Sequence, residues 1–459
     1  MHVLLSFLRR YRMVGIYALL LLAWILRIEH RYHYRNWFLD TEVQLAATAQ
    51  WWKGYGFTVP EASTEDLSQT HDQPISVFMP GYGWLVIPFF ELLDDWFQAA
   101  WFAYALAMAL MLVATHLIWR QQRLRQDEWP YAAYLIFVGF SPAPWHYLTD
   151  AGQWSLTAFA WAVLALLYAG PSVRSRQVGT LLAVAILATG AVIRYAYLPY
   201  LLLPALLWSL PRHQWPERRR SLVVALVAGG LGMLSLWLWR VQQLPYLPGE
   251  EVPEGWFFHH LLHLDPFPIK AFIYYGIPHE LAMARVAAWL PGVFQAIAWV
   301  ASLFLLGIGL SLWFHWRRRD RFPGPQRRRL LRLSGYTLLL ILAMLSYLSL
   351  RSPPQDWNWT GFWTYVMETR YFAPVLWLIG LIAFLSAGDK LRPTVQRGLR
   401  GVVIAVTLVN LGFGLYQRGA LYLGEGVGQP FARTNLPGLM EIAAERQREG
   451  PVRVMTYQN

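Results

Sequence analysis

The sequence predicts an all-α polytopic integral membrane protein with about 11 transmembrane helices, on three observations. Apolar runs of roughly 20 residues, the length a helix needs to cross a hydrocarbon core of ~30 Å, recur along the chain. Basic clusters separate them in alternate connections. Of 459 residues 56% are hydrophobic and 14% charged, with a mean hydropathy of +0.31, whereas soluble domains carry roughly a quarter charged residues. The 25 Trp residues fit the same solvent, because amphipathic rings collect at bilayer interfaces. The lack of cysteine excludes disulfides, thiolate metal sites and cysteine nucleophiles. A net charge of +12 would suit a nucleic-acid binder, but the Lys and Arg residues lie between apolar runs, which argues against nucleic acid and for anionic lipid.

The spans are expected near 13–29, 97–119, 129–147, 152–170, 178–194, 197–210, 221–240, 292–316, 333–350, 371–388 and 401–418. "RRYR" (9–12), "RQQRLRQ" (120–126), "SVRSRQ" (172–177), "RHQWPERRR" (212–220), "RRRDRFPGPQRRRLLR" (317–332) and "KLRPTVQRGLR" (390–400) punctuate alternate connections. The positive-inside rule puts all six, and the N-terminus, on the cytoplasmic side. The exterior connections are then 30–96, 148–151, 195–196, 241–291, 351–370 and the tail from 419. "PGYGWLVIPFFELL" (80–93) is apolar but short and interrupted by Pro and Gly. A crossing there would reverse the basic alternation, so it reads as an interfacial or re-entrant helix. No small-residue cleavage site follows the first apolar run, which is expected to remain as a membrane helix. The organisation is one membrane domain over 1–418, with large outer loops 30–96 and 241–291, and a short exterior tail 419–459.

Ionisable chemistry gathers on the exterior loops. In "DTEVQLAATAQWWKG", Asp40 or Thr41 is placed to cap a surface helix, with Glu42 in its first turn and Gly54 as terminator. The helix dipole there favours an ionised carboxylate. A plain N-cap accounts for Asp40 equally well from residue types alone. Asp150 lies in a very short outer connection, where it could cap the helix that follows or serve a site. Arg370 in "METRYFAP" lies on the exterior, where arginines are scarce, beside Glu368 and Tyr371. Its guanidinium could bind a phosphate bidentately. Arg194 is a second candidate for that role, although an Arg at a span end also snorkels to the interface. His259, His260 and His263 in "HHLLH" lack the Glu of a zinc-protease helix.

Four stretches carry a family resemblance: "DTEVQLAATAQWWKGYG", "QPISVFMPGYGWLVIPFFELL", "SPAPWHYLTDAGQW" and "ETRYFAPVLWLIG". Their order and layout, from about residue 10 to 418, resemble the GT-C superfamily of polytopic glycosyltransferases, in particular the bacterial protein O-mannosyltransferase and aminoarabinose transferase group. The resemblance implies a GT-C-like helix arrangement with interfacial helices in the first outer loop. It implies transfer of a sugar from a polyprenyl-phosphate donor to a lipid, glycan or protein acceptor, with inversion, on the outer face of the cell's inner membrane. The family's catalytic carboxylate of the first outer loop matches Asp40, with Glu42 as near neighbour; the family often sets two acids side by side, and here Thr41 separates them. Asp150 matches a second acid that binds acceptor or orients donor. Lys53, His71, Tyr82, His146, His259, Glu368 and Tyr371 are expected to line the substrate cleft.

The chemistry of these groups suits the reaction on its own terms. Displacement at an anomeric carbon needs a base for the acceptor proton and a cation for the leaving phosphate. A divalent cation (Mg, Mn or Ca) on Asp40 and Glu42 is a further option, on which members of the superfamily differ. The rival classes are a lipid flippase or transporter, which calls for acids and arginines inside spans, broken helices or a two-fold repeat, and a structural membrane protein, which leaves Asp40, Asp150 and Arg370 on one side unexplained.

Overall fold

In lipid a backbone amide finds no water, so a chain of this composition satisfies its amides within helices. The computed structural model is accordingly helical almost throughout the residues it describes: 2–34, 39–62, 70–74, 80–122, 128–140, 150–169, 172–208, 219, 222–234, 325–349, 369–388 and 393–422. The helices are α1 (His2–Tyr34), α2 (Leu39–Trp52), α3 (Gly81–Leu93), α4 (Trp96–Gln122), α5 (Trp129–Phe140), α6 (Asp150–Tyr168) and α7 (Val173–Ile193), then a 3-10 segment (Tyr195–Leu202) running into α8 (Leu203–Trp208). Beyond it come α9 (Leu222–Leu234), α10 (Pro325–Ser349), α11 (Thr369–Ala387) and α12 (Pro393–Tyr422). Among the described residues three helices are long and apolar enough to cross a membrane: Trp96–Gln122, Asp150–Tyr168 and Arg174–Ile193.

Local chemistry sets the helix ends. Ser172 caps α7 by accepting from the Ser175 N–H at 3.1 Å, and Asp95 caps α4 through the N–H groups of Phe97 (2.7 Å) and Gln98 (3.0 Å). Gly54, with φ of +88°, ends α2 as expected.

The helices pack so that the basic connections share one end of the bundle. There Arg329 donates to the Ala169 carbonyl at 2.6 Å and Arg400 to that of Ala387 at 3.1 Å. Arg400 also lies over the ring of Trp129, and Trp119 stacks on nearby Tyr131. At the opposite end Trp101 donates to the Ile28 carbonyl at 3.2 Å. Alanines at 99, 100, 103, 107 and 114 let neighbours approach α4 closely, and α6 uses that room: Thr157 donates to the Ala107 carbonyl at 2.8 Å and Trp161 to that of Leu110 at 3.1 Å. These pairings run α4 and α6 parallel. Phe159 sits at the centre of the core between Tyr200 and Trp377, whose indole donates to Thr115 Oγ1 at 3.1 Å.

Several expectations change. The span expected at 197–210 is a 3-10 segment followed by a two-turn helix, because Pro199 and Pro204 each remove an amide donor and break a regular ladder. The all-α reading gains an exception in the first outer loop, an antiparallel hairpin of β1 (Thr58–Ala62) and β2 (Thr70–Pro74) in the register Thr58↔Pro74 to Ala62↔Thr70. Helix α1 begins at His2 rather than near 13, and α12 runs past the expected boundary at 418 to Tyr422. The segment 80–93 does form the short helix expected. Gly81 lies against Val192 and Phe90 stacks on Trp96, so both ends of α3 sit at the end of the bundle opposite the basic connections. The span at 292–316, the loop 241–291 and the tail beyond 422 fall outside the described residues.

Candidate active site

Asp150 opens α6 and is only 2% exposed. Its Oδ2 accepts a hydrogen bond from the Tyr82 hydroxyl at 3.4 Å, and Tyr82 itself is fully buried. Two glycines bring Tyr82 this close. A Cβ on Gly81 would lie 2.6 Å from the Val192 carbonyl oxygen, and one on Gly83 would collide with Thr48 Oγ1. Only glycine on both sides of Tyr82 lets α3 wedge between α2 and the end of α7. Leu45, Val86, Ala99, Ala100, Ala103, Ala151 and Ile193 close the apolar packing around it.

Arg194 ends α7, with its N–H donating to the Gly190 carbonyl at 3.0 Å, and is 8% exposed. The Ser155 hydroxyl donates to that same carbonyl at 2.9 Å, which runs α6 and α7 antiparallel. Asp150 lies just ahead of Ser155 and Arg194 just past Gly190, so both belong to the same end as Tyr82. Helix α11 extends the grouping. Trp377 packs edge-on against Phe159 with centroids 6.2 Å apart, and α11 runs parallel to α6. Arg370, two turns before Trp377, therefore lies in the first turn of α11, at the end of the bundle that carries Asp150.

Helix α2 packs on α3 through Thr48 and Gly83. It starts at Leu39, so Asp40 and Glu42 occupy its first turn and neither Asp40 nor Thr41 is a cap outside the helix, a correction to the expected boundary. Thr41, Gln44 and Thr48 are buried on one face, while Trp51 and Trp52 are exposed. The Thr48 hydroxyl donates to the Gln44 carbonyl at 2.6 Å; Thr41 Oγ1 and Gln44 Oε1 have no partner. The inward face is mixed, with Leu45 and Ala47 buried beside these polar residues. Its signal stood in the sequence as Thr, Gln and Thr at positions i, i+3 and i+7, but it was not singled out. Gln153, one turn below Asp150, was missed too; it donates to Thr157 Oγ1 and Met111 Sδ, and its Oε1 is unpartnered. The Tyr197 and Tyr200 hydroxyls and the Trp154 indole N–H are likewise buried without partners.

The structure pairs Asp150 with Tyr82, and Arg194 belongs to the same end of the bundle. Lys53 does not join them: it is exposed just past the end of α2, its N–H donating to the Ala49 carbonyl at 3.1 Å. His71 pairs in register with Glu61 in the hairpin. The side chains of Asp40, Glu42, His71, Arg370 and Tyr371, and all of His146, His259 and Glu368, lie outside the described residues. Among the described residues no three His, Asp or Glu side chains gather as metal ligands. Chemically, the Asp150–Tyr82 pair offers a buried carboxyl group with a hydroxyl donor, and the helices around it carry buried polar atoms without partners, which suits a polar ligand entering between helices.

No protein-family model and no curated protein matches the sequence. Among solved structures the chain is similar to the crystal structure of ArnT from Cupriavidus metallidurans in the apo state, at 16% identity and a TM-score of 0.34, over 88% of this chain and 77% of that one. A superposition this loose carries no argument about mechanism, and the functional reading rests on the residues themselves.

Proposed function

We infer that the chain is a membrane glycosyltransferase that moves a sugar from a polyprenyl-phosphate donor to a hydroxyl or amine of a lipid, glycan or protein acceptor at the exterior face. The observation that supports this reading is the buried Asp150 carboxyl group at the start of α6, which accepts from the equally buried Tyr82 hydroxyl at the end of the bundle where α7 reaches Arg194. In the proposed step Asp40 takes the proton from the acceptor as its oxygen or nitrogen bonds to the anomeric carbon. The bond from that carbon to the phosphate oxygen breaks, the electron pair leaves with the polyprenyl phosphate, and the anomeric centre inverts. Arg370 and Arg194 meet the negative charge gained by the leaving phosphate. Asp150, held by Tyr82, orients donor or acceptor. A divalent cation on Asp40 and Glu42 would supply Lewis-acid help to the same leaving group.

The test is transfer of a labelled sugar from a polyprenyl phosphate by the purified, detergent-solubilised chain, read as labelled acceptor and free polyprenyl phosphate. Release of polyprenyl phosphate coupled to acceptor labelling supports the reading. A folded protein that moves the lipid between leaflets of a vesicle without cleaving it would replace the transferase with a flippase.

A further inference from the structure

A chain of hydrogen bonds crosses the apolar core from α11 through α4 to α6. The Trp377 indole on α11 donates to Thr115 Oγ1 on α4 at 3.1 Å, and the Thr115 hydroxyl donates to the Met111 carbonyl at 2.8 Å. On α6 the Gln153 amide donates through Nε2 to Met111 Sδ and to Thr157 Oγ1, both at 3.4 Å. The Thr157 hydroxyl has carbonyl acceptors at 2.8 Å in Ala107 of α4 and in Gln153 itself. Trp377, Thr115, Met111, Gln153 and Thr157 are all buried. An indole N–H can only donate, so Thr115 must accept from it and turn its own hydrogen to the carbonyl one turn back.

Filling the core does not require these bonds, since an apolar pair of the same shape in place of two hydrogen-bonded groups is close to neutral in stability. What the polar pair adds is register. A ring can slide along apolar neighbours with little change in contact, whereas a directed N–H···O bond closes at one height. Trp377 also lies edge-on to Phe159 of α6, so the height set for α11 on Thr115 is held against α6 as well. Helix α6 opens with Asp150, one turn above Gln153, and Arg370 lies in the first turn of α11, two turns above Trp377.

We propose that Thr115 is a positioning residue: by accepting from Trp377 it fixes the register of α11 against α4 and α6, and with it the separation of the Arg370 turn from Asp150. The consequence for catalysis rests on the transferase reading; the register does not. The cytoplasmic end supplies a matched control. There the Trp208 indole of α8 donates to Thr180 Oγ1 of α7 at 2.8 Å, and the Thr180 hydroxyl donates to the Arg176 carbonyl at 2.7 Å. Residue types and bonding pattern are the same, at the end remote from Asp150.

The experiment compares Thr115→Val, which keeps the shape and removes the acceptor, with Thr115→Ser, which keeps the acceptor, and with Thr180→Val, all in the full purified chain. Sugar transfer from the polyprenyl phosphate donor and the Tm are read together. Thr115→Val should lower kcat/KM for the donor by roughly ten- to a hundredfold, the scale of a small misplacement of reacting groups. Thr115→Ser should stay close to wild type, and Thr180→Val should lower the Tm as much as Thr115→Val does while leaving donor kcat/KM unchanged. Register is read without substrate from spin labels on cysteines replacing Tyr168 of α6 and Ile379 of α11, in a chain with no cysteine of its own. Thr115→Val should shift or broaden that distance distribution, and Thr180→Val should not. If Thr115→Val does not fold, Trp377→Phe removes the donor instead and carries the same comparison. An unchanged distribution, wild-type donor kcat/KM in Thr115→Val, or an equal loss of kcat/KM in Thr180→Val would each overturn the proposal. A changed distribution in a chain whose wild type transfers no sugar would support the register and overturn the transferase reading alone.

Discussion

At Asp150 a buried carboxyl group in the first turn of α6 takes one directed donor, the hydroxyl of Tyr82. Removing the donor alone, in Tyr82→Phe, is expected to lower stability by only about 0.5–1.5 kcal/mol, since a hydrogen bond of 3.4 Å is long and weak. Its effect on transfer should be larger than its effect on the thermal midpoint if Asp150 orients a substrate, and the two are read on the same preparation. Asp40→Asn keeps size and helix position but not charge. It should leave the midpoint close to wild type and reduce transfer by roughly 10²- to 10⁴-fold, the loss typical of general-base help. Full activity in that variant would shift the role to Glu42 or Asp150. Arg370→Lys keeps a positive charge without the bidentate fork, so the KM for the donor should rise more than that for the acceptor.

Among the elements, the close contacts of glycine define which helices cannot move apart. A Cβ at Gly414 of α12 would collide with the backbone carbonyl of Phe140 at the end of α5, whereas one at Gly83 would meet the side chain of Thr48. Backbone cannot turn away and a threonine partly can. Gly414→Ala should therefore destabilise more than Gly83→Ala, for which overpacking of about 1–3 kcal/mol is expected; thermal unfolding of the two variants ranks them, and equal midpoints would contradict the packing described. The ends of α4, α6 and α7 were legible in the sequence to within a few residues, because a continuous apolar run between basic or capping residues leaves a lipid-facing chain little choice. The hairpin of the first loop was not, since Thr58–Ala62 and Thr70–Pro74 are short, polar and proline-bearing and pair only across an intervening loop. Two prolines hid the 3-10 segment inside an apolar stretch that hydropathy alone scores as a span. Asp150 and Arg194 stand out in the sequence because charge near lipid is conspicuous; the buried Thr41, Gln44 and Gln153 do not, because neutral polar residues carry no such mark until their burial is known.

Across the whole molecule, the gathering of Arg329, Arg400 and Trp129 at one end and of Asp150, Tyr82 and Arg194 at the other gives an orientation that labelling can check. The chain has no cysteine, so single cysteines can be introduced without background. A cysteine at exposed Tyr55 should react with an impermeant maleimide in intact cells, and one at exposed Thr394 only after the membrane is opened. The reverse pattern would invert the topology and put the candidate site on the cytoplasmic side. The three consecutive residues Gly81, Tyr82 and Gly83 bear on Val192, Asp150 and Thr48 in turn, each about 100° further around α3. Synthesis proceeds from the N-terminus, so α2 and α3 leave the ribosome well before two of those three partners exist. Their docking must wait until the antiparallel pair α6 and α7 has entered the membrane, although the first outer loop is among the first parts of the chain to be made.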